Sequence, residues 1–152
     1  MNIVFRRATA ADQAAIEALI RAAGINPMSL KWQHFLLAVE EATGEIAGTG
    51  QIKTHGDGSR ELASIATRPE FQRRGIAGEM VRRLIAQHQA ESVEPLYLTC
   101  ASPLRSFYEP FGFRVVERAE MPRYFRRLSR VAGLIMLFTD RKLLVMKLEA
   151  PA

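Results

Sequence analysis

Between residues 65 and 78 the chain reads Ile65-Ala66-Thr67-Arg68-Pro69-Glu70-Phe71-Gln72-Arg73-Arg74-Gly75-Ile76-Ala77-Gly78. A strand ending at Thr67, a turn at Pro69 and a loop of small residues opening a long helix leave the first N–H groups of that helix without intrahelical partners. The helix dipole adds positive potential at the same end. Gly75, Ala77 and Gly78 keep side-chain bulk away, so the backbone can approach an anion closely. Arg73 and Arg74 add charge beside it. These types at this spacing predict a pyrophosphate cradle. A dinucleotide fold would need G-x-G-x-x-G, and a P-loop would need Lys-Ser/Thr after the last glycine. Gln72-x-x-Gly75-x-Ala77 is neither.

The pattern resembles the Q/R-x-x-G-x-G/A signature of the GNAT superfamily of acyl-CoA-dependent N-acyltransferases. A second stretch, Phe107-Tyr108-Glu109-Pro110-Phe111-Gly112-Phe113, is similar to that family's aromatic-Tyr-Glu-x-x-Gly-Phe segment. The two stand in the family's order, and the resemblance covers roughly residues 3–117. It implies an α+β fold with a mixed, mostly antiparallel sheet flanked by helices. The implied activity moves the acetyl group of acetyl-CoA to a primary amine by direct attack, the acceptor being an unidentified small molecule or peptide. Carried over by residue, Ile65, Ala66 and Thr67 lie along the pantetheine arm. Gln72, Arg73, Arg74, Gly75, Ile76, Ala77 and Gly78 bind the pyrophosphate, mainly through backbone N–H. Tyr108 is the general acid for the leaving thiolate, because a phenol keeps a proton to give at neutral pH. Glu61 falls where the histone-acetylating branch keeps its general base; an amine with pKa near ~10 must lose a proton before it attacks. Ala101 stands where many members carry Asn. Leu96 stands where the branch acting on protein N-termini carries Glu, which weakens that branch's acceptors.

The elements that must position these residues follow from periodicity and punctuation. Residues 3–7 read as a strand, and Thr9 caps a helix over 11–23 that ends at Gly24. A hairpin follows, with strands over 35–40 and 45–54 and a turn at 42–44. His55-Gly56-Asp57-Gly58 is another turn before a strand over 61–67. The helix over 75–91 is expected to bury Met80, Val81, Leu84 and Ile85. A strand over 96–100, a short helix over 103–109 and a strand over 113–117 come next. Pro122 starts a helix that stops at Gly133, and residues 143–148 form the last strand. No repeat or linker divides the chain, so one domain over 1–152 is expected, with a helical insertion near 121–138 that shapes acceptor choice. In that insertion Phe125, Leu128 and Ala132 form an apolar stripe, Arg126, Arg127 and Arg130 face away, and residues 134–138 are a strand or a buried edge.

Composition narrows the remaining classes. With 152 residues, 48% hydrophobic and 24% charged, wholesale disorder is excluded. The longest apolar run, 131–138, is far short of the ~20 residues that span a bilayer, and the first residues lack a basic-then-apolar leader. The single cysteine, Cys100, suits a reducing compartment and a buried apolar site; a cytoplasmic protein without a membrane role is expected. His34, His55 and His88 share no metal-ligand spacing, so no metal is expected. The net charge of +5 is carried by arginine-rich middle and C-terminal regions, which favours anionic partners and allows an anionic acceptor. Three rivals remain: a non-catalytic acyl-CoA-binding module, a nucleic-acid-binding module using Arg123, Arg126, Arg127 and Arg130 with Tyr124 and Phe125, and an interaction or membrane-surface protein using that same helix. No base-reading motif supports the second. Trp32, Phe35, Tyr124 and Phe125 are candidates for pocket walls or for core. A monomer or homodimer is expected.

Overall fold

The computed structural model describes residues 1–135 and 141–152. Its residues group into two units, 1–53 with 62–88 and 54–61 with 89–152. The architecture is α+β with a mostly antiparallel strand arrangement.

In the first unit, β1 (Ile3–Arg7) pairs antiparallel with β2 (Phe35–Glu40), from Ile3 opposite Glu40 to Arg7 opposite Leu36. β2 pairs antiparallel with β3 (Ile46–Thr54), with a bulge at Ala38/Val39. β4 (Arg60–Thr67) lies beside β3. The turn between β2 and β3 is closed by Gly44 in the left-handed region, φ +74°. Helix α1 (Gln13–Ala22) is preceded by a 3-10 turn over Ala10–Asp12, so the regular helix begins two residues later than its pattern predicts. The reason is local. The Asp12 carboxylate accepts the Thr9 N–H at 2.7 Å and two Arg6 guanidinium bonds at 2.8 and 3.0 Å, and those bonds hold the turn. Ile16, Leu19 and Ile20 of α1 join Phe35, Leu37 and Val39 in one buried cluster, at the i, i+3, i+4 spacing of a helix face.

Helix α2 (Ile76–Glu91) buries Met80, Val81 and Leu84 as expected. Ile85 is only half-buried, and His88 one turn further on is buried in its stead. The helix lies very close to β3. A Cβ on Gly50 would stand 2.6 Å from Leu84 Cδ1 and 2.9 Å from both Ile65 Cδ1 and Met80 Cγ. One on Gly48 would stand 3.0 Å from the Ala66 carbonyl oxygen and 3.3 Å from Ile76. Glycine at these two positions is what permits the approach. β3 is accordingly buried at consecutive positions from Ile46 to Lys53 rather than at alternate ones.

In the second unit the opening residues of β4 pair parallel with β5 (Leu96–Ala101), Arg60 opposite Leu96 and Glu61 opposite Tyr97. β5 pairs antiparallel with β7 (Leu143–Leu148) along its length, and β7 with β6 (Arg114–Val115). The strand expected over 113–117 is regular for two residues only. Val116 still donates its N–H to the Val145 carbonyl at 3.0 Å, after which a 3-10 turn over Arg118–Glu120 redirects the chain. Between β5 and β6 lies the short helix α3 (Arg105–Tyr108) within 3-10 turns on both sides. Helix α4 (Arg123–Ile135) runs two residues past the expected stop at Gly133. Phe125 is fully buried with Tyr97, Val116, Met121 and Val145, whereas Leu128 and Ala132 are half-buried and Arg126, Arg127 and Arg130 exposed. The expected strand or edge over 134–138 begins as helix at 134–135, and residues 136–138 lie outside the described residues.

Gly50→Val is expected to destabilise the fold by about 1–3 kcal/mol, the scale of overpacking a tight contact. Denaturant unfolding checks this, and an unchanged midpoint would mean that α2 can retreat from β3 without loss.

Candidate active site

The loop between β4 and α2 belongs to the first unit, and its geometry follows from backbone requirements. Arg73 and Gly75 both have positive φ, +64° and +79°, and Arg74 between them does not. Alternation of this kind gathers successive N–H groups into a concavity suited to an anion. The Gly75 carbonyl accepts the Glu79 N–H at 3.1 Å, the first bond of α2. The N–H groups of Ile76, Ala77 and Gly78 therefore stand at the open end of the helix. A Cβ on Gly75 would meet nothing within 4 Å, so the space in front of it is clear. Gln72 faces back: its amide donates to the Thr67 carbonyl at 3.1 Å and closes the loop. Ile76 and Ala66 are buried, so they can offer a ligand only backbone groups. Arg73 is exposed, and the Arg74 guanidinium lies 6.0 Å over the Phe71 ring. Just before Ile65-Ala66-Thr67, Ser64 takes φ +58° inside β4. Its hydroxyl accepts from Gln51 Nε2 at 2.8 Å and its carbonyl from Thr49 Oγ1 at 2.9 Å. These buried bonds hold a twist in the strand that ordinary β geometry disfavours.

Glu61 belongs to the second unit and does not stand alone. It is buried, with 8% of its side chain exposed, and its Oε1 lies 2.8 Å from His55 Nε2. Thr99 Oγ1 approaches Oε2 at 3.5 Å. The Tyr124 ring stacks on His55 at 3.5 Å and 11°, and Phe125 meets the same imidazole edge-on. A neutral His55 donates from Nε2 to the carboxylate and keeps Nδ1 as an acceptor. Burial, and secondarily the Glu61 charge, pushes the Tyr124 phenol up. The turn carrying His55 is tied to α4 by Asp57, whose Oδ2 accepts the Tyr124 N–H at 2.9 Å. Pro122 takes the first helical bond of α4 from Arg126 and has no side-chain acceptor of its own. Asp57, distant in sequence, thus supplies the cap that residue 122 lacks. Burial works to raise the Asp57 carboxyl, but hydrogen bonds from the Ser59 hydroxyl, the Tyr124 N–H and the Ser59 N–H bring it down to about 2.

Tyr108, also in the second unit, is 8% exposed and sits in an aromatic knot. Phe107 lies 4.9 Å from it and Phe113 6.1 Å, both edge-on. Gly112, at φ +102°, makes the turn that brings Phe113 back. Burial, with a smaller contribution from Cys100, pushes the Tyr108 phenol well up, so it stays protonated at neutral pH. Among the described residues nothing hydrogen-bonds its hydroxyl, which leaves that donor for a ligand. Cys100 is buried with Sγ 3.8 Å from Met146 Sδ, and burial pushes its thiol up, an environment for packing rather than nucleophilic attack. Among the described residues no three His, Cys, Asp or Glu side chains come together as a metal site. No helix among them is long and apolar enough to cross a membrane.

The description of the acetyltransferase (GNAT) domain matches residues 31–115, more than half of the chain. The chain belongs to the GNAT acetyltransferase family. It is 31% identical over 78 residues to YsnE of Bacillus subtilis (strain 168), described as an uncharacterized N-acetyltransferase. That match covers 48% of this chain and 52% of the relative, so the chain spans about half of it. Among solved structures, N-acetylglutamate synthase of Neisseria gonorrhoeae, complexed with coenzyme A and N-acetyl-glutamate, superposes with a TM-score of 0.79 at 19% identity. It covers 100% of this chain and 36% of the larger one. Rv2747 of Mycobacterium tuberculosis, solved with CoA and a second ligand, superposes at 0.80 with 21% identity, covering 97% and 99%. These similarities establish the fold.

Sequence reasoning placed His55 in a turn and assigned it no role. The signal was present: a turn over 56–58 sets His55 opposite Ser59, whose carbonyl accepts its N–H at 2.9 Å. His55 and Glu61 are then diagonal neighbours on one face. Of the aromatic wall candidates, Phe35 and Phe125 are fully buried core, Trp32 packs against the first core cluster, and Tyr124 is the one set against His55 and Glu61.

Asp57→Ala is expected to cost about 1 kcal/mol at neutral pH by removing the α4 cap. Because the folded carboxyl is lowered, its contribution is present above its unfolded value near ~4 and is lost as pH falls towards 2. Asp57→Asn should keep much of the cap yet remove that acid-dependent part. Urea melts of the three proteins between pH 2 and 7 measure both effects, and parallel pH curves would mean that Asp57 carries no linked proton.

Proposed function

We propose that this chain is an acetyl-CoA-dependent N-acetyltransferase that passes the acetyl group directly to a primary amine. The observation carrying this reading is the loop over 72–75 opening α2, with positive φ at Arg73 and Gly75 and clear space at Gly75. Such a backbone suits a pyrophosphate, and the solved relatives described above hold CoA. In this reading Ile65, Ala66 and Thr67 receive the pantetheine arm, and the N–H groups of residues 73–78 receive the diphosphate. Gln72 acts by closing the loop through Thr67.

The amine loses its proton to Glu61, whose carboxylate His55 fixes through Nε2. The lone pair freed in this way attacks the thioester carbonyl, the C–S bond breaks, and the sulfur leaves as thiolate. Tyr108 donates its hydrogen bond to that thiolate. Its raised pKa makes it a persistent donor rather than a strong acid, so stabilisation of the anion comes before proton delivery.

Gly75→Asp and Ala77→Asp should abolish CoA binding while leaving the fold intact, since the space at Gly75 is open. Calorimetric affinity equal to that of the parent would remove the cradle from the reading. Tyr108→Phe should retain CoA affinity and lower kcat by about 10²-fold; parental turnover would reduce Tyr108 to packing. Glu61→Gln and His55→Gln should both move the pH–rate profile to higher pH, because the amine must then deprotonate unaided. An unmoved profile in both would assign the base elsewhere.

A further inference from the structure

Helix α4 carries Arg123, Arg126, Arg127 and Arg130 at the i, i+3, i+4, i+7 spacing of one face and has no acidic residue. With Arg118 they line a groove of about 380 Å³. A second groove, of about 300 Å³, shares Arg123 and Arg127 and is completed by Gly56, Asp57 and Tyr124. Like charges at i, i+4 repel, and cations in the first turns of a helix oppose its dipole. The arrangement is therefore electrostatically costly in the free chain. Nothing among the described residues relieves it: none of these five guanidinium groups makes an ion pair or hydrogen bond there. The acid in the second groove, Asp57, is already committed. Its Oδ1 accepts the Ser59 N–H and hydroxyl, and its Oδ2 accepts the Tyr124 N–H.

We infer that the groove formed by Arg123, Arg127 and Tyr124 is an anion subsite that selects an acceptor amine bearing a carboxylate or phosphate group. This rests on the acetyltransferase reading. Tyr124 connects the two functions, since one side of the residue lines the groove while its ring stacks on His55, which bonds Glu61. An anionic group held by the guanidinium forks would place the rest of a small acceptor along the Tyr124 wall towards that carboxylate. The volume suits a small ligand, and the forks match carboxylate and phosphate oxygens. An anion there would offset both the repulsion along the face and the unfavourable dipole.

The test uses the full chain with CoA saturating, so that probe anions are not read at the diphosphate cradle. Thermal melting at constant ionic strength, with inorganic phosphate in one arm and succinate in the other, compares the parent, Arg123→Gln/Arg127→Gln and the remote control Arg21→Gln. The midpoint should rise in the parent and the control and stay flat in the double variant; the arm that rises names the anion. No rise in the parent, or an equal rise in the double variant, overturns the proposal whether or not turnover is found. In the kinetic arm, glutamate is set against glutamine and phosphoserine against serine. The double variant should raise KM for the acidic member about 10-fold or more and leave KM for acetyl-CoA unchanged; equal effects on acidic and neutral amines also overturn it. Salt-dependent oligonucleotide binding lost in the double variant, without any small-anion effect, would assign the face to nucleic acid instead. Failure of the parent to bind CoA in calorimetry would remove the acetyltransferase reading, while the melting arms run without CoA would still decide whether the groove takes an anion.

Discussion

The close approach of α2 to β3 is the constraint on which the first unit depends. Helix and strand come together only because positions 48 and 50 carry no side chain, and the resulting contact of Leu84, Met80 and Ile65 over Gly50 sets where the helix starts. A helix that starts at Ile76 presents its unpaired N–H groups there and not a turn earlier or later. The conformation of the loop before it follows: two positive-φ residues are needed to join the end of β4 to that starting point. Gln72 then locks the path by bonding the last carbonyl of the strand.

The second unit is organised around a different interaction, a carboxylate at the start of a helix. Asp57 caps α4 across a long sequence separation, and in doing so brings Tyr124 against His55 and Phe125 into the core with Tyr97. One charge thus connects a turn, a helix and a buried carboxylate. The same helix carries four arginines on its face, so its electrostatics are favourable at the cap and unfavourable along the face. A helix whose stability rests on one remote cap and one buried aromatic ring can keep such a face only at a cost, which is where an anionic ligand would act.

How much of this was legible in the sequence differs by residue. Membership of the GNAT family and the α+β class were readable from two short motifs, because each demands a particular local backbone: glycine at a positive-φ loop position, small residues at a helix start, Gly112 at a left-handed turn. The strand over 113–117 was over-read, because Val116 reads as a further strand residue although it is buried in the core just before the 3-10 turn that redirects the chain. The helix of the insertion was under-read, since Gly133 signals a stop that the helix passes through.

By itself the sequence determined the elements, the order of the motifs and the loop that opens α2, all of which depend on residues within a few positions of one another. Only the tertiary structure decided that Glu61 is buried against His55, that Tyr124 rather than Trp32 or Phe35 stands beside it, and that Asp57 serves α4. The physical reason is separation along the chain. Residues 55, 57, 61 and 124 meet because the turn before β4 and the start of α4 are joined within one unit. Hydrogen bonds and ring stacking act over a few ångströms of space, whatever the number of residues between the partners.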